Sequence, residues 1–189
     1  MRLKSLTPAD LDSDQRELYD RINGPPRGGI YCEPDGSLQG PFNAMLHHPT
    51  IGDPLQRLGA TLRYKGLLAA RTREVVILTV AAFYRAEYEW HAHAPIAADL
   101  GIDAEVLETI ARGERPALED EVEQVAFDLA MTILEGGDVD DEEWSRISTR
   151  LAVPELVELT TLVGFYSTLA MQLRLFHVQL PAGAARRFW

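Results

Sequence analysis

Hydrophobic residues along this chain recur every three or four positions, the period of helices packed on one face. "QRELYDRI" reads as a first helix, with Thr7 and Asp12 as caps ahead of it and a stop at Asn23–Gly24. "FNAMLHH" and "PLQRLGATLRY" read as two short helices split by "PTIGDP". "RTREVVILTVAAFYR" is apolar on all sides, and its Val-Val-Ile centre fits a strand as well as a helix. Helix is the better reading, because Ala, Leu and Glu surround that centre and no turn signal divides it from "EYEWHAHAPIAADL". Gly101 then ends a helix as a C′ glycine. Asp103 caps "AEVLETIARG", and "LEDEVEQVAFDLAMTILEGG" is amphipathic. Asp140 or Asp141 opens "EEWSRISTRLA", and Pro154 sits in the first turn of "PELVELTTLVGFYSTLAMQLRLF". The expected class is all-α.

Two stretches break the pattern. "GPPRGGIYCEPDGSLQGP" is rich in Gly and Pro and reads as a long loop, a type of segment that often carries function. "PAGAARRFW" reads as a loose tail. The expected organisation is an N-terminal helix and loop over 1–40, a helical domain over 41–180 and a tail over 181–189. No linker or internal repeat divides it, so a single domain is expected.

Charge narrows the partners. The chain has 189 residues, with 29 Asp and Glu against 18 Lys and Arg, for a net charge of −11. That balance argues against nucleic acid or an anionic membrane surface as the main partner. No apolar run stands out as a membrane span, and the first residues lack the apolar core of a signal peptide. Cys32 is the one cysteine, so no internal disulfide is expected and a cytoplasmic setting is. The last long apolar segment is hydrophobic almost all round, more than one core requires, and an obligate homo-oligomer is expected.

The chemistry concentrates in "AEYEWHAH", residues 86–93. At about 100° per residue, Glu89, Trp90, His93 and Ala97 fall on the face of Ala82 and Ala86. Glu87 and His91 fall on the other side, where they read as a solvated pair. A carboxylate and an imidazole on an apolar face must pair or shift their pKa values. Such a pair is either structural or an acid–base couple, and the angles alone fit both. Pro95 denies a donor to the His91 carbonyl, so a kink or restart is expected past the pair. His91 and His93 diverge by about 200° and form no shared metal site; no metal is expected.

"GPFNAMLHHP", "RTREVVILTVA", "AEYEWHAHAPIAADLGI" and "ELTTLVGFYSTLAMQL", in that order, resemble the carboxymuconolactone decarboxylase family of the AhpD-like superfamily, over roughly residues 40 to 175. The resemblance implies an all-α, AhpD-like fold in trimers or hexamers. The redox branch of that family carries Cys-x-x-Cys-x-x-x-His with an upstream glutamate. Laid on this chain, those positions are Ala86, Glu89, His93 and Glu74. Both thiols are missing, so the resemblance points to the decarboxylase side, which works without a cysteine pair or cofactor. It implies His93 as proton donor, Glu89 as the group that orients it and Glu74 as relay. The substrate implied is a small anionic carboxylate or lactone, and Arg63, Arg71, Arg73 and Arg85 form a local excess of positive charge to hold it. Tyr88 and His47 are further candidates for substrate contact. The alternatives are a thiol oxidoreductase using Cys32 or a partner's thiol, and a non-catalytic oligomer with the same fold.

Overall fold

The computed structural model describes residues 2–29, 31–181 and 183–188. A 3-10 turn, Pro8–Asp10, precedes α1 (Ser13–Asn23), α2 (Pro41–Leu46) and α3 (Pro49–Tyr64). Then come α4 (Ala70–Phe83), α5 (Glu87–Asp99), α6 (Ala104–Ala111), α7 (Glu121–Leu134), α8 (Asp141–Ser148) and α9 (Val153–Leu175). Among the described residues the only β pairing outside a strand is an isolated antiparallel bridge between Cys32 and Leu38. The chain is all-α, as its periodicity predicts.

Two compact units emerge, Met1–Gly66 with Gln172–Pro181, and Leu67–Met171 with Ala182–Trp189. In the first unit α2 and α3 pack on each other and on α1. Asp12 caps α1 by accepting from the Gln15 amide. The two short helices are present, but "PTIGDP", expected to separate them, is itself helical and forms the start of α3, so the break falls at His47–His48. Pro49 sits in the first turn of α3, where its missing N–H costs nothing, and Pro54 is carried inside the helix. Gly52 is what lets α3 seat. A Cβ there would lie 2.4 Å from the Met45 carbonyl oxygen and 2.9 Å from Leu18 Cδ2. The long loop is tied down locally. Asp35 accepts from the Ser37 amide and hydroxyl, and the Tyr19 hydroxyl donates to the Gly36 carbonyl at 2.9 Å.

In the second unit, α4 settles the helix–strand ambiguity. Val75, Val76, Ile77, Leu78, Val80 and Ala81 are all buried around one helix, which packs on α5, α6 and α7. An all-round apolar sequence is what a central helix requires. A break the sequence did not signal follows it. Arg85 has φ +50°, its amide bonds the Ala82 carbonyl, and the Ala86 amide bonds the Ala81 carbonyl. This is a Schellman motif with arginine where glycine is usual. Ala82 and Ala86 therefore lie on separate helices. Gly101 closes α5 by the same two bonds, to Ala98 and Ala97, at φ +82°. Between these stops α5 runs through Pro95 without restarting.

The tail is not loose over its described end. Glu87 accepts from the backbone amides of Arg187 and Phe188, both at 2.7 Å. The Phe188 ring meets Trp90 edge-on at 5.5 Å between centroids. Trp90 itself lies in the core cluster with Val75, Leu78, Ala97, Ile110 and Phe127. α9 buries Leu159, Leu162, Ala170 and Leu173. By length and composition α9 could cross a membrane, which the sequence reading did not anticipate, but over half of its most apolar window is packed inside the molecule.

Candidate acid–base site

α4 and α5 place one side chain each against a common ring. His93, on the second turn of α5, directs Nδ1 at Glu74 Oε2 on α4, 2.6 Å away. Its Nε2 lies 3.6 Å from Glu89 Oε2, one helical turn back on α5. The two carboxylates thus flank opposite nitrogens of one imidazole. All three groups are buried, with Glu74 at 1%, Glu89 at 3% and His93 at 6% exposure. The Tyr166 ring of α9 stands edge-on to His93 at 5.2 Å and closes the cluster from another side.

The two glutamates meet the ring differently. Glu74 makes the short hydrogen bond and so fixes the ring: with a carboxylate accepting at Nδ1, the Nε2 side faces Glu89. Glu89 has no such bond to the imidazole. Burial pushes its carboxyl up to about 7, with the neighbouring Glu74 adding to the rise and His93 opposing it. A carboxyl raised this far toward neutrality can both give and take a proton. The Glu89–His93 face is the buried one, as the angular argument held. Glu87, in contrast, is not in a solvated pair with His91. Its carboxylate is spent on the tail amides.

The substrate candidates scatter. Arg71 is engaged by Glu123, at 2.7 and 3.1 Å, and by the Gly101 carbonyl, so it joins α4 to α7 and the end of α5. Arg63 lies in the first unit beside the Tyr64 ring. His47, also there, donates from Nε2 to the Lys4 carbonyl at 2.9 Å. Arg85 occupies the strained turn, and Tyr88 is half-buried on α5. Arg73 differs from these: its Nε is buried and lacks a hydrogen-bond partner. Cys32 is half-buried in the first unit, its Sγ 3.2 Å from Asn23 Oδ1 and 3.6 Å from the Tyr19 hydroxyl. Sequence reasoning missed Tyr166. It sits in an apolar run far along the chain, and no local pattern links it to His93.

The all-α fold is AhpD-like. Residues 49–131, which include all three groups, match the carboxymuconolactone decarboxylase family. No curated protein matches the chain in sequence. A peroxidase-related protein from Ralstonia eutropha JMP134, described as an alkylhydroperoxidase AhpD core, has a similar structure. It is 14% identical, with a TM-score of 0.75, over 96% of this chain and 92% of the other. A peroxidase-related protein from Silicibacter sp. TM1040 is also 14% identical, with a TM-score of 0.74, over 96% and 91%. The debrominase Bmp8 in its apo form is 11% identical, with a TM-score of 0.69, over 94% and 91%. At these identities the likeness establishes the fold.

Proposed function

We propose that this protein is a carboxy-lyase-like enzyme that moves protons without a cofactor, acting on a small carboxylated or lactone-type substrate. The observation that carries the reading is the buried Glu74–His93–Glu89 array, with a carboxyl held near 7 at the position where redox relatives carry a thiol. In the decarboxylation, the C–CO2 bond breaks and its electron pair passes into the lactone carbonyl as an enolate. CO2 leaves, and Glu89 delivers its proton to the carbon. His93, steadied by Glu74, takes up a proton from solvent at Nε2 and passes it to Glu89 for the next turnover. The buried, unpartnered Arg73 Nε is the candidate to hold the anionic group of the substrate. The single free cysteine accords with a reducing, cytoplasmic setting.

The second reading is thiol-dependent peroxide reduction, favoured by the peroxidase-related neighbours. It needs two electrons per turnover, and with one cysteine the second thiol must come from another molecule. One assay pair separates the two. CO2 release from a panel of small unsaturated lactone acids, abolished in Glu89→Gln and retained in Cys32→Ser, supports the lyase. Multiple-turnover peroxide reduction with a dithiol, lost in Cys32→Ser, overturns it.

A further inference from the structure

A cleft of about 830 Å³ opens in the second unit, between the C-terminal end of α4, the end of α6, α7 and the docked tail. Glu74, Glu89 and His93 do not line it. Its walls combine two chemistries. Phe83, Phe127 and Met131 supply apolar surface, and Phe83 is 43% exposed. Arg85, Arg112 and Arg187 line the same space, against two acidic residues, Glu114 and Glu135, in a chain whose net charge is −11. Arg112 pairs with Glu114 through two hydrogen bonds, and Arg187 pairs with Glu108. Both partner carboxylates are more than half exposed, so solvent screens these pairs and an anion seated in the cleft can compete for the arginines. The backbone spends conformational strain here as well, at Arg85 with φ +50°.

We infer that this cleft is a second binding site, distinct from the acid–base cluster, and that it takes an aromatic carboxylate. The apolar wall accepts the ring and a guanidinium clamps the carboxylate in a part-desolvated setting, where a bidentate pair is strongest. The volume lies within the usual range of small-molecule pockets. Phe188 forms part of the wall and is fixed by Glu87, so the site depends on the tail being docked.

The test uses the full-length protein with 2-naphthoate as probe, followed by calorimetry and by NMR of the methionine methyl groups. The chain has four Met, and Met131 is the one in the cleft. Saturable binding that shifts the Met131 methyl and leaves Met45 in place is expected. The neutral analogue 2-naphthylmethanol should bind at least about tenfold more weakly. Arg112→Gln with Arg187→Gln should weaken naphthoate by a similar factor, about tenfold or more. Met131→Trp, which fills the cleft, should abolish binding, with circular dichroism confirming the fold. Should that variant unfold, the arginine pair, both exposed, carries the test. Glu89→Gln should bind as wild type. The inference is overturned by no saturable binding up to about 10 mM, by equal affinity for acid and alcohol, or by loss of binding in Glu89→Gln while Met131→Trp retains it. That last outcome would place the ligand at the acid–base cluster and leave the proposed lyase chemistry standing.

Discussion

Glu89 is buried at 3% exposure, and among the described residues its only salt-bridge neighbour is an imidazole, so its ionisation should be felt by the fold around it. Its carboxyl rises from an ordinary 4.5 to about 7. Below 4.5 it is protonated folded and unfolded and contributes its full share to stability. As pH climbs through 7 the unfolded chain has already ionised, the fold resists, and that share is lost. Urea titrations from pH 4 to 8.5 should therefore show wild type losing stability relative to Glu89→Gln, by up to about 3 kcal/mol at the alkaline end. A difference independent of pH would remove the case for Glu89 as the proton-carrying group. The two histidines of "HAH" should part company in the same way. His93→Gln should cut the rate about 10²–10⁴-fold, while His91→Gln should change stability by less than about 0.5 kcal/mol and leave turnover intact. Glu74→Gln should be the informative intermediate. It keeps a hydrogen-bond acceptor at Nδ1 but removes the charge, so kcat should fall and the pH profile should move. A structural role alone would alter melting and leave the profile in place. Glu74, Glu89 and His93 were all legible in the sequence, because helical angles placed the last two on a buried face and the family spacing gave the first. Which glutamate holds the ring was not legible, since that depends on how α4 crosses α5.

The helices themselves were written in caps and periods, and the errors sit where an element ends without its usual residue. Asp12, Asp120 and Asp140 each accept from the first turn of the helix they precede, and Gly101 ends α5 as a glycine should. Arg85 performs the job of Gly101 without being glycine, so α4 and α5 read as continuous. The two stops give opposed predictions. Arg85→Gly should raise stability by about 0.5–1 kcal/mol by relieving the left-handed backbone, and Gly101→Ala should lower it by about 1 kcal/mol. Equal signs in thermal melts would mean that side-chain contacts of Arg85 outweigh its backbone strain. Gly52→Ala tests a different limit. Its methyl would meet the Met45 backbone oxygen at 2.4 Å, which no rotamer change relieves, and a cost of about 2–4 kcal/mol is expected. The tail was misread for a reason of composition. "PAGAARRFW" has no period, and its anchoring comes from Glu87, about 100 residues away in sequence.

Over the whole molecule, apolar surface is left uncovered on one line of α9. Val153, Val157 and Met171 are 64%, 61% and 51% exposed, and Gly164 lies between them with open space where a Cβ would be. These positions share a helical face, because spacings of four, seven and seven return to the same side. A chain carrying −11 keeps its copies apart by charge, so apolar residues retained on this stripe need a compensating burial. The stripe carries no acidic residue, and its glycine lets a neighbouring backbone approach. We predict that copies of this chain pair along α9. Light scattering at micromolar concentration should give a multiple of 21.1 kDa. Val157→Glu with Met171→Glu should reduce that mass to the monomer, since it buries four like charges in every symmetric pair. Thr61→Glu, an exposed change on α3, adds charge elsewhere and should leave the assembly unchanged. If wild type already runs as a stable monomer, the α9 stripe is not an interface between copies. If only the double variant dissociates, the surplus hydrophobicity of "LTTLVGFYSTLAMQL" is accounted for: one side of the helix fills the core and the other meets a second molecule.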